Sequence, residues 1–247
     1  MLVEHIWYVL PVVIFAGIVR GYSGFGFTVI AVVGLNFFFE PQQSVVIVLS
    51  LDVICSLNLM KQAFEQAHYP TLKTLIIGSV LGIPVGYCFL LLIPPSILKL
   101  LICIAILILA GLLFSKSRPF NADKTQTKLG FGVASGAGTV SASIGGPMIV
   151  YYMSSSNLST VNQRATMILF FVASEALAVA TLIGSGLVDS TLSNALLILT
   201  LPTLIAVQYG QYLFNRKPPQ SLKSFALPVM VTVALLGIGN SAMSVVA

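Results

Sequence analysis

The clusters Gly21-Tyr22-Ser23-Gly24-Phe25-Gly26 and Ser141-Ala142-Ser143-Ile144-Gly145-Gly146-Pro147 set glycine and serine inside stretches that are otherwise apolar. A backbone break inside a bilayer strands N–H and C=O groups at several kcal/mol each, so it persists only where protein or a hydrated cavity surrounds it. The half-helix that restarts after a break offers its first N–H groups and the positive end of its dipole, an arrangement that suits an oxyanion. Gly145 and Gly146 let backbone approach a ligand with no Cβ between, and Pro147 suits the first position of the new helix. Ser23, Ser141 and Ser143 add hydroxyl donors, and Gly24, Phe25 and Gly26 complete the candidate substrate-binding set with Arg20, which borders the first cluster. The competing role for the glycines is close helix crossing.

Arg20 falls near the middle of an apolar segment, where a charge costs a few kcal/mol and faces a polar interior. It either binds an anion through its planar donors or pairs with Asp52 or Glu175 to hold the fold. Asp52 and Glu175 are themselves mid-segment carboxyls and hence candidates for proton coupling. Arg164, at the start of a segment, is expected at the cytoplasmic interface or in an inner vestibule. Asn58, Gln208 and Asn240 are expected to hydrogen-bond between helices, and Trp7, Tyr8, Tyr151 and Tyr152 to anchor at the interfaces. No HExxH, HxxxH or CxxC motif is present, and Cys55, Cys88 and Cys103 read as small apolar residues, so neither a metal nor a cofactor is implied.

These groups need helices to hold them. The chain is 57% hydrophobic and 8% charged, far from the roughly 25% charge of soluble domains, so the lipid bilayer is its partner. A net charge of +5 fits cytoplasmic loops better than nucleic acid. The N-terminal residues carry Glu4 and no basic run, so they read as membrane structure rather than a cleaved signal. Eight apolar segments are expected, at 6–39, 44–60, 72–93, 97–114, 129–153, 165–183, 192–213 and 225–245. As one helix the first would run about 50 Å, beyond a hydrocarbon core of about 30 Å. Broken at its glycines it gives two arms, 6–20 and 27–39, neither of which spans. If all segments cross, Lys and Arg divide almost evenly between the two sides. If the first and fifth are re-entrant hairpins, Lys61, Lys73, Lys116, Arg118, Lys124, Lys128, Arg164, Arg216, Lys217 and Lys223 share the cytoplasmic side, and Lys99 alone lies outside. The expected fold is therefore an all-α polytopic membrane protein of two inverted repeats, 1–114 and 129–247, joined by a cytoplasmic linker, 115–128. Gly17/Gly21 and Gly132/Gly136, and Pro84 and Pro202, recur in the two halves, while Gly78, Gly82 and Gly86 read as a packing face.

Gly17-Ile18-Val19-Arg20 running into the first cluster, Gly132-Val133-Ala134-Ser135-Gly136 followed by Gly145-Gly146-Pro147, and Gln163-Arg164-Ala165-Thr166 with Phe170-Phe171 give the chain a resemblance to the TauE/SafE family of sulfite-exporter-like anion permeases. It departs from that pattern at Phe27 and Thr28, where another glycine is frequent. The resemblance implies transport of sulfite, sulfonates such as sulfoacetate, or related small anions across a cell inner membrane. The residues alone imply a secondary transporter for a small anion, possible coupling to protons, and no enzyme. An anion channel or a membrane-embedded structural or enzyme subunit are the alternatives.

Overall fold

The computed structural model describes residues 2–114, 120–186, 190–219, 228 and 231–237, which are helical with short connections and contain no strand. The helices are α1 (Leu2–Ser23), α2 (Phe27–Leu35), α3 (Pro41–Gln66), α4 (Tyr69–Leu92), α5 (Pro95–Phe114), α6 (Thr125–Ala142), α7 (Gly145–Ser154), α8 (Thr160–Gly184) and α9 (Ser190–Arg216). A further helical stretch covers 231–237, and the rest of the expected eighth segment, with Asn240, lies outside the described residues. Proline opens α3 within its first two positions, and the Ser159 hydroxyl caps α8 by accepting from the Asn162 N–H. Six helices (α1, α3, α4, α5, α8 and α9) are long and apolar enough to cross a membrane. Large side chains such as Leu92, Phe114, Leu197 and Leu201 are exposed on them, as lipid contact requires.

The first and fifth segments are broken within the glycine-serine clusters, as expected, but the arm ahead of the first break is longer than expected. α1 stays helical through Ser23 and has 22 residues, about 33 Å, so its arm is of spanning length rather than a short half. The added turn holds because Gly21 is pressed against Val207 and Gly210 of α9, where no side chain fits. α2 and α7 are short, at nine and ten residues.

Both broken segments fold back as hairpins. Tyr8 near the start of α1 stacks on Phe38 just beyond α2, with centroids 5.8 Å apart. Tyr152 near the end of α7 donates to the Ala122 carbonyl ahead of α6, at 2.9 Å, and Tyr151 meets Phe120 edge-on. Tyr151 and Tyr152 are therefore buried hairpin clasps and not interfacial anchors, whereas Trp7 and Tyr8 are exposed.

α3 and α8 pack together at the centre, flanked by two close pairs, α1 with α9 and α4 with α6. Glycine makes both pairs possible. A Cβ on Gly82 would strike the Val133 carbonyl and one on Gly136 the Ser79 carbonyl, while one on Gly17 would lie 2.9 Å from Ala206. Lipid supplies no hydrophobic drive between helices, so such backbone-on-backbone packing supplies the association. Gly78, Gly82 and Gly86 are thus the packing face expected of them. Contacts also sort the helix ends. The His68 N–H donates to Thr166, the Tyr22 hydroxyl to the Lys217 carbonyl and Gln211 to Gln62, which gathers the ends that carry Lys61, Lys73, Arg216 and Lys217. At the far end the Gln42 amide reaches the Leu90 carbonyl, and the Lys99 ammonium reaches the Asn36 carbonyl.

Candidate functional site

At the first break the chain turns through left-handed glycines, Gly24 at φ 79° and Gly26 at φ 95°. The Ser23 hydroxyl is spent inside this turn, 2.7 Å from the Val19 carbonyl and 2.8 Å from that of Phe25, and it accepts from the Phe25 N–H. Ser23 therefore braces the break and is not an open donor. Phe25 is buried beside it. Arg20, one turn back, is fully buried, and each of its three guanidinium nitrogens has a partner. Its Nε lies 2.8 Å from Asp52 Oδ1, Nη2 donates to Ser56 at 2.7 Å, and Nη1 donates to the Gly24 carbonyl at 2.6 Å. Ser56 in turn donates to Asp52 at 3.1 Å. Of the two roles open to Arg20, the structure shows the ion pair, and the pair ties α1, α3 and the turn together. The Glu175 carboxyl approaches that of Asp52, yet its Oε2 is buried without a hydrogen-bond partner.

The second break is built differently. Ser143 takes the left-handed conformation at φ 56°, a strained state for a residue with a side chain; its N–H donates to the Thr139 carbonyl and the Ile144 N–H to that of Gly138, closing the end of α6. Its hydroxyl is buried and has no partner. Ser141 instead donates back to the Ala137 carbonyl within α6. Ser135 donates to the Gly145 carbonyl at 2.9 Å, and a Cβ on Gly145 would collide with Thr139 and lie 2.9 Å from the Ser135 hydroxyl. Gly145 thus serves hairpin packing rather than ligand approach. α7 begins at Gly145, so Pro147 is its third residue and not its first, still within the turn whose N–H groups have no helical partner.

The two restarts come close at one point. A Cβ on Gly146 would sit 4.0 Å from the Thr28 hydroxyl of α2 and 3.8 Å from the Phe171 ring, ordinary contact distances. Neither Gly26 nor Ile144, the residues ahead of α2 and α7, caps its helix with a side chain. The Arg20 guanidinium lies 5.1 Å from the centre of the same Phe171 ring. On α8, Arg164, Ile168, Phe171 and Glu175 follow at helical spacing and form one stripe along both breaks. Gly146, Thr28, Phe171, Arg20, Asp52 and Glu175 are thereby brought into one polar interior. Ser141 and Ser23 point their hydroxyls elsewhere.

Arg164, expected at the cytoplasmic interface or in an inner vestibule, was not among the candidate site residues and is 3% exposed. Its aliphatic stem packs on Gly24, so that a Cβ there would lie 2.7 Å away, and its Nη2 donates to the Gly21 carbonyl at 2.6 Å and to Gln211. Its guanidinium stacks 3.9 Å from the Phe214 ring centre. The signal was the Gln163-Arg164-Ala165-Thr166 run, read as a motif without a position. Ser56, Thr28 and Phe171 had no signal beyond their helix faces. Asn58 and Gln208 are exposed, and helices are bridged instead by Gln42 and, about one turn on from the expected amides, by Gln62 and Gln211. Among the described residues no group of three or more His, Cys, Asp or Glu side chains is placed to hold a metal ion.

Comparison with curated proteins and with solved structures returned no match. The family model described as sulfite exporter TauE/SafE matches residues 9–237, which include both breaks, the α8 stripe and the glycine-packed pairs. Membrane-length helices around paired breaks are the architecture such a transporter needs, and the chain belongs to the sulfite exporter TauE/SafE family, whose members are transporters and not enzymes.

Proposed function

We propose that this chain is a secondary permease for small oxyanions, sulfite or organosulfonates such as sulfoacetate, that binds them between the first turns of α2 and α7. The observation that carries this reading is the close approach of two uncapped helix starts at Gly146 and Thr28, together with the buried and unpartnered Ser143 hydroxyl. Those N–H groups and the paired dipoles stabilise negative charge without a cation. Residues 1–114 and 129–247 act as inverted repeats. The correspondence of the α1–α2 and α6–α7 hairpins, and of the α1–α9 and α6–α4 pairs, supports this. Both hairpins are then re-entrant, with the helix ends bearing Lys61, Lys73, Arg216 and Lys217 in the cytoplasm of a cell whose inner membrane holds the protein.

One guanidinium balances one carboxylate, so Arg20 and Asp52 settle each other and Glu175 is the carboxyl left to exchange a proton with transport. The test is flux in proteoliposomes. Wild-type protein is expected to show saturable counterflow of sulfite and accumulation driven by a pH gradient, and Glu175→Gln to keep counterflow while losing accumulation. Unsaturable conductance without counterflow identifies a channel instead. Accumulation by Glu175→Gln with unchanged pH dependence removes proton coupling at this residue.

A further inference from the structure

We infer that Arg164 is the counter-charge for the transported anion at an inner subsite, on the basic flank of the first break, formed with Gln62, Gln211 and Phe214; this rests on the oxyanion reading above. The two buried arginines differ in one respect. Arg20 is neutralised by Asp52 at 2.8 Å, whereas no carboxylate among the described residues pairs with Arg164. Its visible partners are neutral: the Gly21 carbonyl, the Gln211 amide oxygen and the Phe214 face. Its Nε is buried and has no hydrogen-bond partner. A buried guanidinium costs several kcal/mol unless an opposite charge accompanies it, so the position calls for an anion that arrives and leaves. Oxyanions match the guanidinium fork, and an Nε with a neighbouring Nη is the edge that binds two oxygens side by side.

The subsite also has an approach. Arg164 donates to Gln211, Gln211 donates to Gln62, and both glutamines are half-buried at the helix ends that carry Lys61 and Lys217. Gln211 can be turned aside by an incoming anion, because its oxygen is the acceptor an oxyanion replaces. Arg164 lies seven residues, about 10 Å of helix, from Phe171, which borders the gap between the breaks. An anion released from that gap toward the basic end meets Arg164 next.

The experiment uses the purified full chain with sulfite as ligand, read by equilibrium binding and by thermal unfolding with and without ligand. Arg164→Gln is expected to weaken sulfite binding about 10- to 100-fold, the range for losing hydrogen bonds to a charged group. The ligand-free variant should unfold no earlier than wild type, since an unbalanced buried charge is gone. Gln211→Glu supplies a built-in carboxylate for Arg164, and should raise ligand-free stability while lowering sulfite affinity at least as far. A purely structural Arg164 gives the opposite pattern, an earlier unfolding transition in Arg164→Gln and unchanged affinity in Gln211→Glu, and overturns the inference. Loss of binding in Gly146→Ala alone, with both Arg164→Gln and Gln211→Glu binding normally, also overturns it and leaves the central site standing. If wild type binds no sulfite or sulfonate, the oxyanion reading itself fails and the inference falls with it.

Discussion

The break between α1 and α2 and the break between α6 and α7 solve the same backbone problem by different means. The first is charged and closed. Its turn uses glycine for both left-handed positions, its serine is consumed by neighbouring carbonyls, and Arg20 clamps it from within while Arg164 presses on it from α8. The second is neutral and open. A serine takes the strained left-handed position, its hydroxyl has no partner, and a Cβ on Gly146 would meet only ordinary contacts. The contrast teaches that one break is fixed in place and the other is left with unsatisfied capacity. Backbone at the first break is tied by charge, and the second break keeps a hydroxyl unspent.

Substitutions can break this contrast, and the largest effect belongs to the clamp. Asp52→Leu leaves Arg20 buried without its counter-charge and is expected to destabilise by about 3–5 kcal/mol. The double variant Arg20→Met with Asp52→Leu should recover most of that loss, as thermal unfolding in detergent will show. Failure of the double variant to recover stability would mean that the first break needs the guanidinium's bonds to Gly24 and Ser56 more than its charge balance.

Adjacent glycines at the second break should part company. Gly145→Ala forces a methyl group onto Thr139 and Ser135 and should cost about 1–3 kcal/mol or more, visible as reduced yield and earlier unfolding. Gly146→Ala meets only ordinary contacts, so the protein should unfold as wild type does while sulfite counterflow falls, because the methyl group enters the gap between helix starts. Equal transport in Gly146→Ala and wild type would move the site away from that gap.

The smallest effects sharpen the comparison most. Ser143→Gly removes an unused hydroxyl and relieves the left-handed strain, so stability should rise by a few tenths to about 1 kcal/mol. Sulfite binding should weaken by about 1 kcal/mol if that hydroxyl meets the ligand. Ser23→Ala should do the reverse, losing about 1 kcal/mol of stability with the turn's bonds and leaving affinity close to wild type once folded. Matching behaviour in the two serines would erase the distinction between a closed and an open break.

Much of this plan was legible before any coordinates. Glycine and serine inside apolar runs mark places where a helix cannot continue in lipid, and both breaks fall within the clusters so marked. Small residues at four-residue spacing announce packing, and Gly78, Gly82 and Gly86 do pack. What was hidden depends on the third dimension. Arg20 had two carboxylates to choose from, and only the packing of α3 on α1 puts Asp52 at its Nε. A basic residue beside a helix start looks like any cytoplasmic lysine or arginine, so the burial of Arg164 left no trace in local pattern. Tyr151 and Tyr152 have the composition of interfacial anchors, and only the return of α7 to the start of α6 buries them. The extent of α1 was misjudged for a related reason, since Gly21 looks like a helix breaker until Gly210 of α9 is seen against it.

That last contact carries a consequence for how the chain is made. Synthesis delivers α1 first and its glycine-packed partner α9 last among the described membrane-length helices, so α1 must wait in the bilayer while most of the protein is built. It waits with Arg20 in its last turn, and the first relief arrives early, when α3 brings Asp52. The partners of the ion pair are therefore both made well before the ribosome delivers Gly210. A chain stalled after α8 would hold α1 by its charge alone, with the groove meant for α9 open to lipid and to quality-control proteases.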